Sequence, residues 1–189
     1  MPDQLTDEEK RAIRRNVPLS SVNNFDLNAY MGHWYEIASV PMFFQRNCFS
    51  NVQAKYRLMD TGKISVVNQC ETEKGKQISA NGRARKTKKS VSQLEVTFLN
   101  FFGWRFFAGG DYWVIQVADD YSYAVVGHPE RKYGWLLARS QHLPKKTLQL
   151  IAKTLEKQGY QPENFVMTRQ SKGFQGELRE PLTEYISKI

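Results

Sequence analysis

The chain has 189 residues, of which 41% are hydrophobic and 13% aromatic, enough for one well-buried domain with short appendages. Charged residues make up 24% of the chain and no apolar run reaches the ~20 residues of a membrane-spanning helix, which excludes a disordered chain and a helical membrane protein. The 27 Lys plus Arg outnumber the 19 Asp plus Glu, and the net charge of +8 permits acidic partners without choosing among them.

An N-terminal appendage, residues 1–21, is expected to contain a short helix at about residues 5–15. Thr6 and Glu9 have the spacing of a capping box. The first residues lack the basic start and apolar core of a secretory signal. We therefore expect a cytoplasmic protein if Met1 is the native start, and a periplasmic or outer-membrane protein if a processed signal is missing from this chain.

Between residues 22 and 141, apolar and polar side chains alternate with the period of two that is typical of half-buried β-strands. In the clearest case Val52, Ala54 and Tyr56 share one face, and polar residues stand between them. The pattern predicts strands at 34–40, 52–58, 64–70, 78–84, 94–98, 112–117, 123–127 and 135–139. Eight successive antiparallel strands favour an all-β fold, a closed eight-stranded up-and-down barrel without exposed edges.

A helix is predicted after the strands, at residues 144–159, because Pro144 suits its first turn and a glycine ends it. Its apolar face is formed by Leu148, Ile151 and Leu155, and this face should pack on the outside of the barrel. Residues 165–167 are predicted to add a short strand. The barrel and its helix would then occupy residues 22–170, followed by a C-terminal tail, residues 171–189, with a weakly helical end.

Three short motifs stand in the order found in a known family. Gly32-His33-Trp34 opens the first strand, Asp119-Asp120-Tyr121 falls between the sixth and seventh strands, and residues 135–139, Trp-Leu-Leu-Ala-Arg, form the eighth. Together they resemble the three signatures of the lipocalin family. The full set resembles the subgroup of bacterial lipocalin (Blc), apolipoprotein D and plant temperature-induced lipocalins, and the resemblance covers about residues 22–170.

The resemblance implies that Gly32, Trp34 and Arg139 serve the fold. In lipocalins the arginine packs against the tryptophan, so Arg139 is expected to stack on Trp34 as a cation–π pair that closes one end of the barrel. The connections expected around the opposite, open end are those at 41–51, 71–77, 99–110 and 128–134.

The resemblance also implies that the barrel interior binds a hydrophobic ligand such as a fatty acid, a lysophospholipid or a similar lipid. The inward positions combine aliphatic side chains with a few aromatic and polar ones, as in cavities for elongated apolar molecules. The predicted ligand-binding residues are Tyr56, Asn68, Phe98, Trp113 and Trp135. Ala80, Gly82 and Ala84 would leave room inside. A filled barrel without a ligand is the alternative.

Aromatic residues are concentrated in two connections at the expected opening. Exposed loops are normally polar, and an apolar patch usually marks a binding, membrane or partner surface. The residues predicted to contact a membrane or to cover the ligand are Phe43, Phe44, Phe101, Phe102, Trp104, Phe106 and Phe107. Basic residues between positions 74 and 89 would favour an anionic lipid surface. A homodimer formed through the rim is a further alternative.

The two cysteines, Cys48 and Cys70, are expected near the opening, on or next to neighbouring strands. Cys48 occupies the place where apolipoprotein D-like members of the family carry a cysteine, so the resemblance suggests a bridge between the two. The sequence itself leaves the bridged and free states open. Free thiols would imply a reducing compartment or a reactive site.

The sequence predicts no catalytic residue, no metal site and no cofactor. Serines, histidines and acidic residues show no nucleophile elbow, and the three histidines lack metal-ligand spacing. Two other functions are left open: an enzyme that uses a cavity cysteine, Cys70, on a lipid substrate, and an interaction module that works through the aromatic rim. Nucleic-acid binding would suit the positive charge, but the ordered motifs oppose it.

Overall fold

The computed structural model describes residues 16–98 and 109–189. The helix predicted at 5–15 lies outside the described residues. The strands are β1 (Gly32–Ser39), β2 (Ser50–Leu58), β3 (Ile64–Glu71), β4 (Gln77–Lys86), β5 (Gln93–Thr97), β6 (Gly110–Val117), β7 (Tyr123–Gly127), β8 (Gly134–Ala138) and β9 (Val166–Met167). The α-helices are α1 (Leu27–Tyr30), α2 (Lys145–Lys157) and α3 (Leu182–Lys188). Short 3-10 turns lie at Phe43–Gln45 and Pro162–Asn164.

Strands β1 to β8 form an antiparallel sheet that closes on itself, because β1 pairs with both β2 and β8. Every other pairing within the barrel joins consecutive strands, from β2–β3 to β7–β8. The predicted eight-stranded up-and-down barrel is therefore confirmed. The end of the barrel at which β1 begins is called the base below, and the opposite end is called the mouth.

The buried side chains divide into an inner cluster, inside the barrel, and an outer cluster, between the barrel wall and the helices. Members of the inner cluster include Trp34, Tyr56, Ile64, Val66, Leu94, Tyr112, Val114, Val126 and Leu137. Members of the outer cluster include Ile37, Ile115, Val125, Leu136, Leu148, Ile151, Leu155, Phe165, Phe174 and Leu182. Because a fully buried large apolar side chain contributes ~1.5–3 kcal/mol, both clusters stabilise the barrel.

Helix α2 packs on the outside of the barrel as predicted. Its three apolar residues, Leu148, Ile151 and Leu155, are completely buried in the outer cluster. In the described part of the chain, no helix is long and apolar enough to cross a membrane.

Residues 171–189 pack against the outer cluster instead of extending from it. Phe174 and Leu182 are buried there. The backbone N–H of Leu182 donates to the carbonyl of Phe165 at 2.8 Å, and that of Met167 donates to the carbonyl of Glu180 at 2.8 Å. The segment expected to form a tail is thus part of the same packed unit.

The C-terminal segment also completes the barrel wall between β1 and β2. These two strands pair only near the base, as far as Tyr35 and Gln53. Nearer the mouth, the side-chain amide of Gln170 donates to the carbonyl oxygens of Glu36 and Val52, both at 2.8 Å. Gln170 is 1% exposed. This junction of β1, β2 and the segment after β9 is called the seam below.

Candidate functional site

The base of the barrel is closed by Arg139 and Trp34. The guanidinium carbon of Arg139 lies 3.7 Å from the centroid of the Trp34 ring, as the resemblance implied. The guanidinium also donates to the backbone carbonyls of His33 at 2.7 Å, Ala29 at 2.8 Å and Met31 at 2.9 Å. Arg139 therefore holds α1 and the start of β1 against the end of β8.

Gly32 is required where β1 begins. Its φ of +97° lies in the region that favours glycine, and a Cβ there would lie 3.4 Å from Nη1 of Arg139. The indole N–H of Trp34 donates to the carbonyl of Tyr30 at 2.8 Å. The three family-motif residues thus meet at the base and serve the fold.

Three tyrosines lie above Trp34 and form the floor of the barrel interior. Tyr30 comes from α1, Tyr56 from β2 and Tyr112 from β6. The Tyr30 ring lies 4.9 Å from the Trp34 ring and 5.7 Å from the Tyr56 ring, between centroids. The Tyr112 hydroxyl is 2.6 Å from that of Tyr30 and 3.0 Å from that of Tyr56.

Burial keeps these hydroxyls protonated. Desolvation raises the pKa of Tyr56 to about 12 and the pKa values of Tyr30 and Tyr112 well above their ordinary value. The floor therefore presents neutral hydroxyl groups at physiological pH.

The inner wall above the floor is mostly apolar, with one free amide. The Trp135 ring stacks on Tyr112, with centroids 5.9 Å apart. Asn68 faces inward on β3, in register with Ala54 and Ala80 of the neighbouring strands. Its buried Oδ1 has no hydrogen-bond partner among the described residues. Such an acceptor suits a polar group of a ligand or an ordered water molecule.

Phe98 lies on the inner side of the wall, over Gly82. A Cβ on Gly82 would be 2.8 Å from Cε1 of Phe98 and 2.9 Å from the carbonyl oxygen of Thr97. Gly82 is thus needed for close approach of the Phe98 ring. Phe98 itself is 41% exposed.

Trp113 lies on the outer wall, and its predicted place inside the barrel was wrong. Its neighbours on β6, Tyr112 and Val114, belong to the inner cluster, whereas Trp113 packs against the outer cluster. The error arises because β6 is apolar on both faces, so alternation does not show which face points inward.

Aromatic side chains are exposed at the mouth. Phe43 and Phe44 lie in the 3-10 turn after β1 and are 76% and 59% exposed. The Phe44 ring lies 5.5 Å from the ring of Tyr133, so the connections after β1 and after β7 meet at the mouth. The other predicted rim residues, Phe101, Phe102, Trp104, Phe106 and Phe107, lie outside the described residues.

Cys48 and Cys70 form a disulfide, with their Cα atoms 5.5 Å apart. The bridge ties the connection after β1 to the end of β3. In the bridged state neither sulfur is a free thiol, so Cys70 cannot act there as the cavity nucleophile of the alternative enzyme.

Glu36 has a buried carboxylate that is hydrogen-bonded both to the connection after β1, at the mouth, and to the segment after β9, at the seam. It is 4% exposed and accepts hydrogen bonds from Ser39 Oγ at 2.9 Å, Thr168 Oγ1 at 2.7 Å and Gln45 Nε2 at 3.2 Å. Burial raises the pKa of Glu36, and the three hydrogen bonds oppose that effect only in part. Sequence reasoning missed this group because a glutamate in a strand usually indicates an exposed face.

The side chains that face the interior are mostly apolar with few polar atoms, which is the lining typical of a site for a hydrophobic molecule. Sequence reasoning found four inward residues, Tyr56, Asn68, Phe98 and Trp135, but it missed Tyr30 and Tyr112. The described part of the chain contains no group of residues that could hold a metal ion.

Comparisons with known proteins agree with this geometry. A family model for a lipocalin-like domain matches residues 25–170. Temperature-induced lipocalin-1 of Arabidopsis thaliana is 36% identical over 154 residues, which cover 79% of this chain and 82% of that protein. The outer membrane lipoprotein Blc of Vibrio cholerae is 33% identical, over 79% of this chain and 85% of that protein. Apolipoprotein D of Macaca fascicularis is 32% identical, over 78% of each chain.

Solved structures show the same fold at lower identity. Insecticyanin from the tobacco hornworm Manduca sexta has a TM-score of 0.63 and 22% identity, and the match covers 82% of this chain and 90% of that one. The cockroach allergen Per a 4 has a TM-score of 0.63 and 15% identity, over 83% and 96% of the two chains.

Proposed function

Because the chain belongs to the lipocalin family, whose members bind small hydrophobic ligands, we propose that it carries a fatty acid, a lysophospholipid or a similar lipid inside its barrel. The observation that carries this proposal is the barrel itself, which Arg139 and Trp34 close at the base and apolar side chains line within. Burial of an acyl chain contributes ~0.8 kcal/mol per CH₂ and would supply most of the binding energy. The proposed role is non-catalytic.

Four residues are proposed to contact the ligand: Tyr56, Asn68, Phe98 and Trp135. Trp135 and Phe98 offer aromatic surface above the floor. Tyr56 and Asn68 offer the polar contacts, since Asn68 Oδ1 is buried without a partner among the described residues. Few polar groups on an apolar wall orient a lipid without binding every part of it.

The first test is native mass spectrometry of the purified protein, followed by organic extraction and lipid identification. Co-purifying acyl chains would support the proposal and name the ligand class. An empty protein would be titrated with a fatty acid and a lysophospholipid while tryptophan fluorescence is followed. Trp135→Phe should reduce the fluorescence change more than Trp113→Phe, the matched control on the outer wall. A protein that purifies empty and shows no response to either lipid contradicts the proposal.

The mouth is proposed to touch a membrane surface while lipid is collected. Phe43 and Phe44 supply exposed aromatic rings that can enter the interfacial region. Arg46, Lys74 and Lys76 are exposed in the connections at the same end of the barrel. Each basic residue close to an anionic membrane contributes ~1 kcal/mol to binding.

Sedimentation with vesicles of phosphatidylcholine and phosphatidylglycerol tests this contact. The double variant Phe43→Ser/Phe44→Ser should bind vesicles several-fold more weakly than the wild type. Leu150→Ser is the matched control, because Leu150 is 51% exposed but lies on α2, away from the mouth. Unchanged vesicle binding together with loss of a homodimer in the double variant would show that the rim is a contact between copies of the chain.

The disulfide supports an oxidising compartment as the place of action. The relatives from Vibrio cholerae and Escherichia coli are named outer membrane lipoproteins. The proposed location is therefore the periplasm or the periplasmic face of an outer membrane. Cell fractionation with rapid alkylation of thiols tests it, and a cytoplasmic pool with both thiols alkylated would contradict it.

A further inference from the structure

The floor of the barrel interior carries a hydrogen-bond donor that has no acceptor among residues 16–98 and 109–189. Tyr30, Tyr56 and Tyr112 form a chain of three hydroxyl groups, with Tyr112 in the middle. The chain contains three hydroxyl protons and two hydrogen bonds. Whichever way the protons are arranged, one of them is left over, because each hydrogen bond uses one proton.

The remaining proton finds no acceptor in the described part of the chain. Among the described residues, these three hydroxyls form only two hydrogen bonds, the one between Tyr30 and Tyr112 and the one between Tyr56 and Tyr112. A buried donor without an acceptor costs ~1–3 kcal/mol, so the position favours a molecule that brings an acceptor. Tyr56 and Tyr112 are each 7% exposed, whereas Tyr30 is 0% exposed. Of the three side chains only Tyr56 and Tyr112 keep some exposed surface, so the donor is assigned to one of these two.

The charges around the floor favour a neutral acceptor over an anion. The charged groups whose fields act on these tyrosines are Arg139, which acts on Tyr30, and Glu36, which acts on Tyr56. Arg139 lies against Trp34, and its guanidinium donates to backbone carbonyls. An ionised carboxylate on the floor would thus gain little from Arg139, whose guanidinium is already engaged, and would be disfavoured by the negative charge of an ionised Glu36, which acts on Tyr56.

We propose that the ligand enters with an oxygen acceptor first, so that a neutral carbonyl, ester or ether oxygen accepts a hydrogen bond from Tyr56 or Tyr112 while the apolar part extends toward the mouth. This inference rests on the proposed function, since it requires that the interior holds a ligand. It adds the ligand's direction and narrows the proposed ligand to a lipid with a neutral polar end, since a fatty acid or a lysophospholipid would have to bring its charged group to the floor.

Binding of a long-chain methyl ketone and of the alkane of the same length tests the proposal, with a fluorescent apolar probe displaced by each. The measured quantity is the ratio of the ketone affinity to the alkane affinity for each variant. The free energy of removing the ketone from water is the same for every variant, so it cancels when these ratios are compared. The double variant Tyr56→Phe/Tyr112→Phe should lower the ketone preference by about tenfold, the value of one hydrogen bond to a buried group. Tyr123→Phe, on the outer wall, should leave the ratio unchanged.

Infrared spectroscopy of the wild type with a ¹³C-labelled ketone gives a second readout that needs no variant. A hydrogen bond on the floor should lower the carbonyl stretching frequency below its value in an alkane solvent. Two results overturn the proposed direction. One is a bound ketone whose carbonyl stretching frequency equals the value in an alkane solvent. The other is a ratio of ketone to alkane affinity that falls in Asn68→Leu but not in the tyrosine double variant. If neither ketone nor alkane displaces the probe, and the probe itself does not bind, the carrier function fails instead.

Discussion

The guanidinium carbon of Arg139 lies 3.7 Å from the centroid of the Trp34 ring, while the guanidinium nitrogens donate to the backbone of the segment that precedes and begins β1. One side chain, which follows β8, thus holds both helix α1 and the first strand in place. The first and last strands of the barrel meet at this point, so the contact stabilises closure as well as the base.

Arg139→Met should lower the free energy of unfolding by about 3 kcal/mol, because the methionine cannot satisfy three backbone carbonyls and loses the cation–π contact. Urea unfolding followed by circular dichroism measures the change. Arg57→Met is the matched control, since Arg57 is exposed on β2. Equal stability of the two variants would show that the base does not depend on Arg139.

Removing the disulfide should destabilise the protein through the unfolded state. The bridge closes a loop of sequence separation 22, for which chain entropy predicts a contribution of about 3 kcal/mol. Cys48→Ser/Cys70→Ser should therefore unfold at lower urea than the oxidised wild type, and the reduced wild type should match the double variant. Coincident unfolding curves for the oxidised and reduced proteins would contradict this prediction.

Glu36 should make stability fall as pH rises. A carboxyl group whose pKa is raised by folding binds its proton more tightly in the folded protein than in the unfolded chain. Its stabilising contribution is fully present below the unfolded-state pKa and is lost as pH rises through the folded-state pKa. The free energy of unfolding of the wild type minus that of Glu36→Gln should therefore decrease from pH ~4 upward.

The control for Glu36 is Glu156→Gln, because Glu156 is exposed on α2. The difference between the wild type and this variant should stay nearly constant over the same pH range. A wild type that gains stability relative to Glu36→Gln with rising pH would show that the hydrogen bonds from Ser39, Thr168 and Gln45 outweigh burial.

Gln170→Ala should open the seam. The substitution leaves the carbonyls of Glu36 and Val52 buried without their partner, and two such losses cost roughly 2–6 kcal/mol. Hydrogen exchange should increase at the mouth-side ends of β1 and β2. Gln149→Ala on the exposed face of α2 provides the comparison. Unchanged exchange in both variants would mean that β1 and β2 are held together without Gln170.

The strands were predictable wherever one face is buried and the other is exposed to solvent. Alternation predicted 52–58 and 64–70, and the structure places β2 at Ser50–Leu58 and β3 at Ile64–Glu71. Which side of β6 points into the barrel was not predictable. The outer cluster covers the outer side of this strand, so Trp113 on that side is as apolar as Tyr112 on the inner side. Periodicity reports contrast between two faces, and a strand buried on both sides has none.

The missing parts of the candidate site come from long-range packing. Tyr30 precedes the first strand and reaches the floor only because α1 turns under the barrel, where its hydroxyl lies 2.6 Å from that of Tyr112. Gln170 lies in a segment that carries no strand pattern, yet it bonds two strands more than a hundred residues earlier. Neither relationship leaves a local signal in the sequence.

The seam also means that the first strand is synthesised long before its partners. β1 is synthesised first, but its partners β8 and Gln170 emerge only near the end of translation. At ~5–20 residues per second, the nascent chain spends on the order of ten seconds with the edge of β1 uncovered. Until β8 and Gln170 are available, the early strands have an exposed edge and the barrel cannot close.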